Sequence, residues 1–145
     1  MSYLIDTCCI SELVKKKPNP KVVQWFEDMD ELTMYVSVIT FGELRKGIEK
    51  LPTSEKKDEL NQWVKKDLSI RFKNRILDVT MKEVNEWGKI LANAEKKGTP
   101  VPAIDALIAA TARAHDLAVV TRNTRDMKNA DVELINPWEY ETGTH

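Results

Sequence analysis

Four carboxylates of this chain stand where apolar stretches of the sequence meet polar ones: Asp6, Glu43, Asp105 and Asp126. Asp6 ends the first apolar stretch, and Glu43 and Asp126 follow two later ones. Asp105 opens an alanine-rich run. If these stretches are strands and helices of one sheet-based core, the four acids can meet at one edge of it. Sites built from oxygen donors suit Mg²⁺ or Mn²⁺, so the pattern predicts metal-assisted phosphodiester chemistry.

Each acid also has a purely structural interpretation. Asp6 follows a predicted strand and can cap the next helix, because Asp is a favoured N-cap. Thr40 and Glu43 match a capping box, and taken alone that role is favoured for Glu43. Asp105 lies among apolar residues, where an unpaired buried carboxylate is costly, so metal binding is favoured over capping. Asp126 can cap a short helix.

The polar segment Thr-Arg-Asn-Thr-Arg-Asp at 121–126 follows a predicted strand. Its purely structural interpretation is a polar surface loop. In the functional interpretation its hydroxyl, amide and carboxylate groups surround a metal ion, and Arg122 or Arg125 faces phosphate oxygens. Thr121 and Asn123 are then expected to support the acids from beside the metal ion.

The apolar pattern places these residues on alternating strands and helices. Such alternation favours a parallel sheet with helices on both faces, that is, a three-layer α/β/α fold. Ligands of open α/β sheets bind beyond the carboxyl ends of the strands, where all four acids can converge. Strands are predicted at 2–5, 34–38, 75–79, 118–121 and 132–135, and helices at 9–16, 21–30, 40–51, 80–97 and 102–115, with one more helix capped by Ser54.

Length and composition bound the remaining possibilities. The sequence of 145 residues contains no internal repeat and no linker, so a single domain over 1–145 is expected. The net charge of −1 does not by itself indicate nucleic-acid binding. No apolar run approaches the ~18 residues of a membrane helix, and no signal peptide is recognisable.

Cysteine and histidine are too scarce for several other chemistries. Cys8 and Cys9 are neighbours, and a bridge between them is strained, so we expect free thiols and a reducing cytoplasm. The two histidines are His115 and the terminal His145. A serine–histidine–aspartate triad and a Cys/His zinc site are therefore unsupported.

Taken together these residues resemble the PIN-domain family, and within it the VapC-type and FitB-type ribonuclease toxins of prokaryotic toxin–antitoxin pairs. The resemblance covers nearly the whole chain. It depends on several short motifs in a fixed order rather than on any one of them. The motifs are Leu-Ile-Asp-Thr at 4–7 with Ile-Ser at 10–11, Ser-Val-Ile-Thr at 37–40 with Gly-Glu-Leu-Arg-Lys-Gly at 42–47, Ile-Asp-Ala-Leu-Ile-Ala-Ala-Thr-Ala at 104–112, Val-Thr-Arg-Asn at 120–123 with Asp126, and Asn-Pro-Trp at 136–138.

The resemblance implies a PIN-like fold and an endoribonuclease that depends on Mg²⁺ or Mn²⁺. The acids of the family fall on Asp6, Glu43 and Asp105, and a fourth ligand falls on either Asn123 or Asp126. Family members usually have Asn-Val after the first Asp-Thr, where this chain has Cys8 and Cys9. They often have Phe at the position of Met127. On this hypothesis the acids bind one or two divalent ions and activate water or stabilise the reacting oxygens.

The resemblance also implies partners. We expect an RNA substrate, a cognate antitoxin protein whose tail crosses the acidic groove, and either a homodimer or a toxin–antitoxin hetero-oligomer. Phe41, Ile48 and Leu51 are apolar positions that can contribute to a homodimer, although packing in the core is their alternative role. Thr7 is expected to orient a carboxylate or water, as is Thr121.

Two other classes of function remain open. The chain can be a non-catalytic PIN-like module that binds RNA or protein, in which case loss of acids would be the usual sign. It can also be a receiver-like signalling domain with Asp6 near a phosphoacceptor. A receiver needs an acidic pair after the first strand and a late lysine at a strand end, but the pair is missing and Arg122 follows the fourth strand. Phosphoaspartyl enzymes need a second aspartate two residues after the first, where this chain has Cys8.

Overall fold

A five-stranded sheet lies at the centre of the computed structural model, which describes residues 1–142. All four strand pairings are parallel, and the strand order is β3-β2-β1-β4-β5. This order differs from the 2-1-3-4-5 order of receiver domains and counts against that class. Every predicted strand is confirmed, with tighter bounds. The strands are β1 Tyr3–Ile5, β2 Met34–Ser37, β3 Ile76–Leu77, β4 Ala118–Val120 and β5 Leu134–Ile135.

Helices cover both faces of the sheet, so the predicted three-layer α/β/α fold with a central parallel sheet is confirmed. Successive side chains of a strand point to opposite faces. Accordingly Leu4 packs with helices α7 (Ala103–Ala114) and α8 (Thr124–Met127). Ile5 packs on the other face with α1 (Thr7–Leu13), α2 (Pro20–Asp28) and α3 (Val38–Glu49). The helices are α1 Thr7–Leu13, α2 Pro20–Asp28, α3 Val38–Glu49, α4 Glu55–Gln62, a π-helical segment Trp63–Leu68, α5 Ser69–Arg71, α6 Met81–Lys96, α7 Ala103–Ala114 and α8 Thr124–Met127, with 3₁₀ turns at Glu31–Thr33, Lys128–Ala130 and Pro137–Glu139.

The start of α3 differs from the prediction, and the capping box at Thr40 is wrong. Ser37 is the N-cap, and its hydroxyl accepts the backbone N–H of Ile39 at 3.1 Å. Because this cap comes three residues earlier than expected, α3 begins at Val38. Thr40 is then buried inside the helix and Glu43 lies in its second turn. Glu43 is therefore free for a role other than capping.

The apolar positions suggested for a homodimer divide between the core and the surface. Ile48 is buried in the core cluster, so its use in an exposed contact is wrong. Phe41 is partly buried against the same cluster. Leu51 is exposed. Within residues 1–142 no helix is both long and apolar enough to cross a bilayer.

A buried carboxylate ties the start of α6 to the end of α7. Glu83 accepts the Thr80 backbone N–H at 2.7 Å and also the Thr80 hydroxyl. Its other oxygen lies 2.8 Å from Nε2 of His115, the residue that ends α7. Burial alone raises the pKa of Glu83, but the hydrogen bonds from Thr80 and His115 outweigh it and lower the pKa to about 2. Glu83 is thus a structural acid.

We expect Glu83→Gln to lower the free energy of unfolding at pH 7 by about 1–3 kcal/mol, because a buried and fully bonded group is replaced. The folded-state pKa lies below the ordinary 4.5, so the carboxylate contributes its stability above that pH and loses it as pH falls toward 2. Urea titrations should therefore show a smaller loss of unfolding free energy for Glu83→Gln, relative to the parent chain, at pH 3 than at pH 7. Glu95→Gln, an exposed change on the same helix, serves as control. An equal loss in both variants would contradict the assignment.

Candidate active site

Asp6 lies at the carboxyl end of β1 and is almost fully buried, at 4% exposure. One carboxylate oxygen accepts the Thr7 backbone N–H at 2.9 Å and caps α1. The other accepts the hydroxyl of Thr121 at 2.7 Å. The Asp6 N–H donates to the Val120 carbonyl at 2.9 Å, which aligns β1 with β4. The capping interpretation of Asp6 is thus confirmed, and the same carboxylate faces the predicted site.

Glu43 reaches this edge through Thr7. The hydroxyl of Thr7 lies 2.6 Å from a carboxylate oxygen of Glu43 and 3.1 Å from the hydroxyl of Thr40. Thr40 was missed as a site residue because the capping box assigned it a different task. Its spacing of three residues from Glu43, which puts both on one helix face, could have revealed it. The contact joins the first turn of α1 to α3.

Asp105 is in the first turn of α7, as predicted, and is half-buried. No hydrogen bond or ion pair reaches its carboxylate from within residues 1–142. Burial, together with the negative charges of Asp6, Asp126 and Glu43, raises the pKa of Asp105 to about 6. The negative charges of the other three acids therefore act on Asp105 and add to the effect of its burial.

Asp126 and Asn123 occupy different places around α8. Asp126 lies inside the first turn and is exposed, so the interpretation of Asp126 as the cap of a short helix is wrong. Asn123 holds the N-cap position, but its side chain makes no capping bond. Its backbone N–H donates to the Thr121 hydroxyl at 2.9 Å. Asn123 thus supports Thr121 through its backbone, whereas the charge of Asp126 is felt by Asp105.

Cys8 is the site neighbour that the sequence did not single out. Its sulfur lies 3.7 Å from a carboxylate oxygen of Asp6 and 3.6 Å from the hydroxyl of Thr121. It also accepts the Arg122 backbone N–H at 3.4 Å. A hydrogen bond with Cys9 lowers the pKa of the Cys8 thiol, although burial and the charge of Asp6 oppose this. The thiol thus lies beside Asp6, between that carboxylate and the Thr121 hydroxyl.

The two arginines predicted near phosphate are not equivalent. The guanidinium of Arg122 lies over the ring of Trp138, 5.2 Å from its centroid. This contact gives Arg122 a defined position beside the edge of the sheet. Arg125 is exposed on α8, on the turn that carries Asp126.

The carboxylate oxygens of the four acids are the kind of ligand that a hard divalent cation such as Mg²⁺ prefers. Four carboxylates of one sheet edge repel one another, and a cation with oxygen ligands relieves that repulsion. In the arrangement that the structure shows for residues 1–142, no three acid, histidine or cysteine side chains stand close enough to hold one ion together. The exposed Glu43 and Asp126 are the acids with room to move inward.

Known proteins resemble the chain over nearly its full length. The family model described as PIN domain matches residues 3–133. Plasmid stability protein StbB of Pseudomonas syringae pv. tomato is 38% identical over 94% of this chain and 98% of its own. Toxin FitB of Neisseria gonorrhoeae is 36% identical over 93% of this chain and 97% of its own. VapC ribonuclease Y4jK of Sinorhizobium fredii is 32% identical over 94% and 97%, respectively.

Solved structures agree in fold. The crystal structure of FitAcB from Neisseria gonorrhoeae contains a chain that superposes with a TM-score of 0.91 at 36% identity, covering 95% of this chain and 99% of that one. A toxin–antitoxin complex from Klebsiella pneumoniae contains one that superposes with a TM-score of 0.70 at 26% identity, covering 97% and 99%. By sequence and by fold, the chain belongs to the PIN-domain family.

Proposed function

We propose that this chain is an endoribonuclease that depends on Mg²⁺ or Mn²⁺ and acts as the toxin of a type II toxin–antitoxin pair. The observation that carries the proposal is the electrostatic coupling of Asp6, Glu43 and Asp126 to a half-buried Asp105 that has no partner within residues 1–142. A repulsive cluster of this kind lowers the stability of the protein, which a bound cation would restore. The ribonuclease and toxin names of the relatives support the same chemistry.

Each site residue has a role in this proposal. Asp6, Glu43, Asp105 and Asp126 hold the cation. When bound, it supplies charge to the phosphodiester and lowers the pKa of water. Thr121 orients one oxygen of Asp6, and Thr7 keeps Glu43 beside the site. Asn123 positions Thr121 through its backbone N–H.

Partners are part of the proposal. The toxin name of FitB and the toxin–antitoxin complex from Klebsiella pneumoniae support a cognate antitoxin for this chain, in a hetero-oligomer or on a homodimer of toxins. The antitoxin would cover the acids, because a basic side chain from it relieves their repulsion as a cation does. We further propose that the 145 residues act as a single domain in the cytoplasm, where the free Cys8 and Cys9 stay reduced.

The direct test is cleavage of total cellular RNA by the purified chain, freed of any partner. We expect cleavage with Mg²⁺ or Mn²⁺ and none with EDTA. Asp6→Asn and Glu43→Gln should each lower the rate by at least about 100-fold, because each removes a charge that holds the cation. Thr121→Val should lower it by about 10–100-fold through loss of the bond that orients Asp6.

Glu49→Gln is the matched control for Glu43→Gln, since it changes an exposed glutamate on the same helix that pairs only with Arg45. It should cleave like the parent chain. If folded protein with metal leaves all RNA intact, the nuclease role is wrong and a binding module is favoured. If Glu49→Gln and Glu43→Gln lose equal activity, the acidic site is not where cleavage occurs.

The repulsion on Asp105 gives a stability prediction. Its folded-state pKa of about 6 exceeds the ordinary 3.8, so ionising it opposes folding above pH 6 and has no effect below about pH 4. In EDTA at pH 7.5, Asp105→Asn should therefore raise the melting temperature, and the gain should vanish near pH 4. Mg²⁺ should raise the melting temperature of the parent chain but not of the variant.

Asp67→Asn is the control, because Asp67 is an exposed aspartate on the opposite helical layer. It should change the melting temperature little at either pH. A less stable Asp105→Asn, together with no effect of Mg²⁺ on the parent chain, would rule out the acidic cluster as a cation site.

The identity of the fourth ligand can be decided by two variants. Asp126→Asn should lower metal-dependent cleavage by at least about 100-fold, because its charge adds to the cation site. Asn123→Ala should cost less than about tenfold, since Asn123 contributes its backbone rather than its side chain. The reverse order of rates would assign the fourth ligand to Asn123.

A further inference from the structure

A cationic cleft of about 310 Å³ lies between α6, α7 and the 3₁₀ turn Lys128–Ala130. Three of its lining residues carry positive charge: Lys97, Arg113 and Lys128. Only one carboxylate, that of Asp131, lines it. The lining thus holds three positive groups against one carboxylate, although Glu86 outside the lining pairs with one of the three, Arg113.

The charges of the two lysines are available to a ligand. Neither Lys97 nor Lys128 forms an ion pair within residues 1–142, and both are exposed. The amide side chains of Asn93 and Asn129 add neutral donors to the same wall. Groups of this kind bind the oxygens of an anion rather than an apolar ligand.

Arg113 differs from the lysines because the fold holds it in place. Its guanidinium lies 3.3 Å from a carboxylate oxygen of Glu86 and donates to the Ala130 carbonyl at 3.4 Å. Its side chain is only 28% exposed, and Ile90 and Ala130 beneath it are buried. A cation fixed in this way loses little side-chain entropy when it meets an anion.

Two chain segments connect the cleft to the acidic site. Lys128 follows Asp126 by two residues, across the end of α8. Lys97 lies in the turn between α6 and α7, and the first turn of α7 carries Asp105. A polymer that places one phosphate at the acids can therefore continue past α8 and reach the cleft.

We propose that this cleft binds a backbone phosphate of the RNA substrate, a few nucleotides away from the scissile bond. The inference rests on the proposed function and extends it from the reacting atoms to the path of the strand. Phosphate contacts supply most of the sequence-independent affinity for nucleic acids. The acids supply none without a cation, so a cationic contact beside them compensates for their repulsion of the strand.

The test compares two double variants that each remove two positive charges. Lys97→Gln with Lys128→Gln removes the cleft lysines, and Lys65→Gln with Lys66→Gln removes two exposed lysines from the π-helical segment of the opposite layer. Binding of a fluorescent 12-nucleotide RNA is measured by anisotropy in EDTA, without cleavage, across a range of salt. The cleft variant should bind about three- to tenfold more weakly. The slope of its log binding constant against log salt concentration should be smaller by about 1, because one or two phosphate contacts are lost. The control variant should bind like the parent chain.

Cleavage separates this proposal from the nuclease role on which it rests. With Mg²⁺ or Mn²⁺, the cleft variant should show a raised KM for the 12-nucleotide RNA, an unchanged kcat, and unchanged cleavage of a dinucleotide too short to reach the cleft. If the parent chain cleaves RNA and both double variants bind and cleave it equally well, the phosphate site in the cleft is wrong and the nuclease role stands. A parent chain that neither binds nor cleaves RNA would overturn both. Binding of a polyglutamate peptide as tight as that of RNA, and lost with the same lysines, would assign the cleft to an acidic protein segment and overturn the phosphate site.

Discussion

One carboxylate, that of Asp6, joins the fold to the site. It caps α1 with one oxygen and accepts the Thr121 hydroxyl with the other, while its backbone pairs β1 with β4. Helix start, strand alignment and the acidic edge therefore depend on the same residue. Capping and chemistry are not alternatives here, because a cap occupies one carboxylate oxygen at the end of a strand and leaves the group at the edge where ligands of parallel sheets bind.

A comparison of two acids shows how environment separates a satisfied carboxylate from an unsatisfied one. Glu83 is buried, but Thr80 and His115 satisfy it and lower its pKa to about 2. Asp105 is less buried, yet it has no partner within residues 1–142 and its pKa rises to about 6. Burial alone therefore does not mark a site. What marks a candidate site is an acid whose neighbours are other acids, because a bound cation relieves that arrangement.

Apolar patterning predicted the elements of this fold well, since the amphipathic helices bury one regular face and the short strands, covered on both sides, form apolar runs. It placed Asp105 in the first turn of α7 for the same reason. It failed at Thr40, because a capping box and a buried helix interior have the same local sequence, and only the earlier cap at Ser37 distinguishes them. The bond between Thr7 and Glu43 spans 36 residues, so no local pattern could reveal it.

Composition hid the cationic cleft for a related reason. A net charge of −1 describes the sum over the chain and not its distribution. In the folded chain the negative charge gathers at the carboxyl edge of the sheet, and positive charge gathers in the cleft that Lys97, Arg113 and Lys128 line. Those three residues lie between positions 97 and 128 of the sequence, and the packing of α6, α7 and the 3₁₀ turn Lys128–Ala130 on one another brings them together. A near-neutral chain can thus present one surface suited to a cation and another suited to an anion, as the binding and cutting of a phosphodiester strand requires.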